Sequence, residues 1–192
     1  MITSNIASLE DLDILFADYA QEILGLSQDK VLIQHTEKGQ ISSTINENVA
    51  YIHVGLVNDA VQNLKERKRE FTNGKFKTTQ HSMRIIELFV MFYGPDSVDL
   101  STLLADSFFL ECGKEFLYKN NLSLIPSSVT NGITLHERFN GQWWKRSDLK
   151  VQFYNSIQVS EDVNKLDSVD ITYNVSSGNK TIIFEQGNGG NA

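Results

Sequence analysis

The stretch Met83-Arg84-Ile85-Ile86-Glu87-Leu88-Phe89-Val90-Met91-Phe92-Tyr93, closed by Gly94-Pro95, decides how this chain folds. Successive side chains of a strand point to opposite faces of a sheet. One face here carries Ile86, Leu88, Val90 and Phe92. The other carries Met83, Ile85, Phe89, Met91 and Tyr93, interrupted by Glu87. A strand apolar on both faces belongs at the centre of a covered sheet, or turns one face toward another subunit. Phe89, Met91 and Tyr93 are therefore candidate interface residues.

Working outward, Ser8 with Asp11 reads as a capping box. Leu9, Leu12, Phe16, Tyr19 and Ile23 then recur at helical spacing, predicting a helix over 9–24 with Gly25 at its end. Residues 31–33 and 49–57 are strand candidates, separated by a polar loop at 39–48. After Pro95, Asp96 with Asp99 is placed to cap a second helix. Its apolar positions Leu100, Leu104, Phe108, Cys112 and Phe116 carry it to about Lys119, and Asn120-Asn121 ends it. Residues 122–125 form a short strand candidate. Residues 146–160 alternate Leu149, Val151, Phe153, Ile157 and Val159 against Lys150, Gln152, Tyr154, Ser156 and Gln158, predicting a strand with one wet face. Val169, Ile171, Tyr173 and Val175 mark a last strand.

The expected fold is α/β: a mixed, mostly antiparallel sheet of four to six strands flanked by helices. The expected domain covers 1–175, with 176–192 a partly disordered C-terminal tail.

The chain has 192 residues, of which 41% are hydrophobic and 21% charged, a globular composition sufficient for one core. Its net charge of −7 makes it a poor general ligand for nucleic acid. Cys112 is the single cysteine, which excludes an intramolecular disulfide, and its place on an apolar stripe predicts a buried, inert thiol. Residues 1–6 lack signal-peptide character, and the longest apolar run, 88–93, is too short to span a membrane. His35, His53, His81 and His136 follow no metal-ligand spacing, and there is no phosphate loop, dinucleotide fingerprint or nucleophile elbow. No catalytic, cofactor or metal site is expected.

Two features point to partners. Residues 58–79 reverse the local charge with Lys65, Arg67, Lys68, Arg69, Lys75 and Lys77, opposed by Asp59, Glu66 and Glu70. Thr72-Asn73-Gly74-Lys75 is a turn signal at their centre, so the segment is expected to project as a hairpin or long loop. It either serves solubility or faces DNA or an acidic neighbour. Trp143 and Trp144 are adjacent, so in a strand one enters the core and the other is exposed as an interface candidate.

The order of segments resembles the phage neck terminator family, related in architecture to tail terminators. The resemblance rests on four parts. These are the N-terminal amphipathic helix; Gln80-His81-Ser82-Met83 running through to Phe92-Tyr93-Gly94-Pro95; the helix with Leu103-Leu104 and Phe116-Leu117; and Trp144-Lys145-Arg146-Ser147-Asp148-Leu149 leading into Val151-Gln152-Phe153-Tyr154-Asn155 and the closing strand to Val175. It covers roughly residues 9–175 and leaves the basic stretch and the tail outside the pattern. It implies a non-enzymatic virion protein forming a ring, usually of six subunits, between the head connector and the tail tube. Its implied partners are other copies of itself, the tube protein, connector or adaptor proteins and the sheath where one exists, with genomic DNA passing non-specifically through the lumen. Assembly is expected in the host cytoplasm. The alternatives are another neck component, such as a head-closure or adaptor protein, or a small nucleic-acid-binding module using residues 65–77.

Overall fold

The computed structural model describes residues 2–34, 44, 46–60, 64–72, 75–139, 141–163, 168–175 and 178–185. Two long strands organise it: β5, Lys75–Tyr93, and β8, Gln142–Val163. They pair antiparallel in unbroken register from Phe76 opposite Val163 to Tyr93 opposite Arg146. At about 3.3 Å per residue, β5 spans roughly 60 Å, well beyond a typical strand.

Shorter strands line both sides of this ribbon, end to end. Along the outer side of β5 run β3 (Val49–Val57), opposite residues 85–93, and β4 (Lys65–Thr72), opposite residues 75–82. Along the outer side of β8 run β7 (Thr130–Phe139), β6 (Leu122–Leu124) and β1 (Ile2–Ser4). β2, Val31–Ile33, adds to β3 in parallel, which makes the sheet mixed. The sheet has eight strands rather than four to six, because polar segments extend β5 and supply β4 and β7. β9 (Ser168–Val175) and β10 (Gly178–Glu185) form a separate antiparallel pair. Thus part of the segment expected to be a tail is a strand; residues 186–192 lie outside the described residues, as does most of the 39–48 loop.

One face of the sheet carries the core. Ile86, Leu88, Val90 and Phe92 meet Ala50, Ile52 and Val54 from β3 and Leu149, Val151 and Phe153 from β8, all buried beneath the helices. Helix α1, Leu9–Leu24, begins with the expected capping box: Asp11 N–H donates to Ser8 Oγ at 3.0 Å and Ser8 N–H to Asp11 Oδ2 at 3.1 Å. Phe16 of α1 packs edge-on to Phe108 and Phe116 and against Phe153.

The expected long second helix is two helices, α2 (Ser97–Ser107) and α3 (Glu111–Lys119). Its supposed apolar positions lie four apart, and each such step advances about 40° beyond a full turn. The stripe drifts by roughly 160° between Leu100 and Phe116, more than one straight helix can keep on a core. The break at 108–110 restores the phase and turns Cys112 outward, so this thiol is exposed, not buried. Asp96 also departs from expectation. Instead of capping α2 it accepts from Asn48 Nδ2 at 2.9 Å and donates its own N–H to Asn48 Oδ1 at 3.1 Å. This fixes the exit of β5, where Gly94 takes φ 118°, and a Cβ there would lie 2.6 Å from the Glu47 carbonyl oxygen.

Candidate assembly surfaces

The basic stretch is a β-hairpin. Thr72 pairs with Lys75 across the Asn73-Gly74 dipeptide, whose placement lies outside the described residues, and pairing continues to Lys65 opposite Ser82. With the end of β8 and with β1 it makes a four-stranded arm running on past the helix-covered part of the sheet. β4 has no strand on its outer edge among the described residues.

Strand alternation divides the cations. Lys65, Arg67 and Arg69 stand opposite Ser82, Gln80 and Thr78, on the face that the helices cover further along the sheet. Arg67 Nε donates to Gln80 Oε1 at 3.3 Å. Lys68 and Lys77 belong to the other face, among carboxylates. Lys68 Nζ lies 2.7 Å from Glu70 Oε1, and Lys77 sits between Glu70 and Asp162 in the register. The Lys68 contact holds the Glu70 carboxyl below, and its own ammonium above, their ordinary values. Lys75 begins β5. The six cations therefore do not make one patch. The face with Lys65, Arg67 and Arg69 also holds Glu161, opposite Thr78; it stays net positive and carries an apolar tip. Phe71 and Phe76 are 4.9 Å apart between ring centroids, Val163 stands opposite Phe76, and all three are exposed.

The second face of the main sheet holds the strand residues expected at an interface. Met91 is only 9% exposed and clusters with Val49 and Tyr51; Phe89 and Tyr93 are half-buried against the same group. Trp144 lies on this face, edge-on to Tyr93 at 6.3 Å, whereas Trp143 alternates to the opposite face and is 62% exposed. Nearby, the Arg-Ser-Asp-Leu segment splits by alternation. Arg146 grips Asp148 with both Nε (2.7 Å) and Nη2 (2.9 Å), reaches Glu137 at 3.3 Å, and lies 5.7 Å from the centre of the Tyr93 ring. Ser147, on the core side, shares a 2.8 Å hydrogen bond with Ser101 of α2. The Asp148 contact keeps Arg146 charged above its already high ordinary value. Burial pushes the Tyr93 phenol up to about 12, so near neutral pH it remains a donor to Glu137, at 3.0 Å.

Three features went unread in the sequence. β7 was missed, although Asn140-Gly141 between Phe139 and Gln142 is a hairpin dipeptide. It places Ile133 and Leu135, both exposed, on the same face as Arg146 and Asp148. The apolar arm tip was missed because Phe71 and Phe76 lie on either side of the turn. Helical periodicity marks only the core stripe of the helix layer, whose outer side exposes Ile14, Leu103, Phe109 and Leu110.

Among the described residues no three His, Cys, Asp or Glu side chains are grouped to hold a metal ion, and no helix is long and apolar enough to cross a membrane. Fold and surface together define the class: a mixed α/β protein built on one long antiparallel ribbon, with a charged and apolar-tipped arm. A family model described as phage neck terminator protein matches residues 17–177, and the chain belongs to that family. It is thus a structural protein of the phage neck. No curated protein matches the chain.

Proposed function

We propose that this protein forms a homo-oligomeric ring, six-fold as the resemblance implies, that ends the tail tube and joins it to the head connector. The family match over 17–177 carries this reading. The exposed aromatic and aliphatic side chains on the arm, at Trp143 and on β7 support it, because exposed apolar groups in patches mark association surfaces. Its neighbours would be further copies of itself, the tube protein, the connector or adaptor proteins, and the sheath where one exists. DNA would pass through the lumen without sequence preference, and the chain would catalyse nothing. Negative-stain microscopy of the purified protein and of assembled particles tests this. A closed ring at the head–tail junction is the expected result, and a single copy per particle overturns it.

A further inference from the structure

We propose that copies of this chain associate head to tail, the arm of one copy docking on the outer surface of helices α1 and α2 of the next. This rests on the ring reading and supplies its contact. The arm face offers Arg67 and Arg69 beside the exposed Phe71–Phe76–Val163 tip. The helix layer offers the complement. α1 and α2 contain no lysine or arginine. Their solvent side sets the exposed Ile14 one turn from the exposed Asp18, and the exposed Leu103 between Asp99 and Asp106. One surface is basic and apolar, the other acidic and apolar.

The arm cannot serve its own helix layer. It is the continuation of β5, and Phe76 lies ten residues from Ile86, about 33 Å along a strand that pairs without interruption. The complementary partner must be another molecule. Two different patches meeting in this way give a heterologous contact, which generates a ring if the rotation closes. The exposed apolar side chains on both patches supply burial, and the charges set register and reject like-charged partners.

Association of the full chain, followed by mass photometry and sedimentation over increasing concentration, tests the docking. Reversing the arm with Arg67→Glu and Arg69→Glu should weaken self-association by about 100-fold, as should Asp99→Arg with Asp106→Arg on α2. A chain carrying all four substitutions should associate again, a rescue that misfolding cannot produce. Mixing the two reversed chains should also restore association, in alternating copies, because each arm then meets a helix layer of opposite charge. The inference is overturned by association that survives arm reversal, by a four-fold variant that stays dissociated, or by a wild-type chain that is monomeric up to about 1 mM. It is equally overturned if arm reversal removes only retention of duplex DNA, which would assign the cations to phosphate. None of these results touches the ring reading, which microscopy of the particle decides separately.

Discussion

Asp13 sits where β2 runs out. Along β3, Gln34 N–H still donates to the Ile52 carbonyl at 2.8 Å on the β2 side. Two residues on, the Val54 N–H finds no strand there and donates instead to Asp13 Oδ1 of α1, at 2.6 Å. Asp13→Ala should leave that buried donor unsatisfied and cost about 1–3 kcal/mol in denaturant unfolding. Asp13→Asn keeps an oxygen acceptor and should separate charge from hydrogen bonding. Burial raises the Asp13 carboxyl above its ordinary 3.8, against the Val54 hydrogen bond. A raised folded-state value means that the protonated form is favoured by folding. That contribution is complete below the unfolded value and is lost as pH rises through the folded one. The Asn variant should therefore gain on the wild type as pH climbs from about 4, and the gap should level off above the folded value. An Asn variant that loses ground to the wild type over this range would contradict the assignment. This role of Asp13 is not legible in the sequence, because nothing in it shows where a neighbouring strand stops. The tryptophan pair was half legible. Alternation required opposite faces, but only packing reveals that Trp144 leans on Tyr93 while Trp143 is open. Trp144→Ala should lower stability by on the order of 2–3 kcal/mol. Trp143→Ala should leave the unfolding curve unchanged and impair particle assembly; if both mutants unfold early, Trp143 has no interface role.

Elements were legible where their own periodicity was strong, and illegible where a partner imposed the structure. The core half of β5, the strand face at Leu149–Val151–Phe153 and helix α1 with its caps all announce themselves through apolar spacing. The polar half of β5, Lys75 to Ser82, does not. Its extended form follows from pairing with β4 on one side and β8 on the other. The joint between α2 and α3 hid for a different reason: apolar residues four apart imitate a helical stripe over a short range and drift off it over a long one. Gly113 is what lets the joint close. A Cβ there would collide with the Ser107 carbonyl oxygen and lie 2.7 Å from Phe108 Cα, both backbone atoms. Gly113→Ala should therefore destabilise the protein by about 1–3 kcal/mol, despite the better helix propensity of Ala. A thermal scan would show it as a fall of roughly 2–4 °C for each kcal/mol lost. A stabilised variant would mean that the joint is looser than its packing indicates.

For the whole molecule, the family match and the surface chemistry lead to a prediction about salt. Each copy carries a net charge of −7, so approaching copies repel one another at long range. The proposed contact of Arg67 and Arg69 with the α2 acids attracts at short range. The two respond to ionic strength differently. At about 0.01 M salt the Debye length is roughly 30 Å and the repulsion between whole copies acts in full. At about 0.15 M it falls to roughly 8 Å, which screens the distant charges and largely spares pairs in contact. Near 1 M, at roughly 3 Å, the contact charges are screened as well, leaving the apolar tip. Self-association should therefore rise from low to intermediate salt and then decline without vanishing. Phe71→Ser should lower it at every ionic strength, while Arg67→Glu with Arg69→Glu should remove the decline at high salt. Binding of the arm to DNA would behave otherwise, because release of counterions makes affinity fall continuously as salt increases. Sedimentation across a salt series, with and without duplex DNA, distinguishes the two. A monotonic fall that appears only when DNA is present would assign the arm to the nucleic acid rather than to the neighbouring copy.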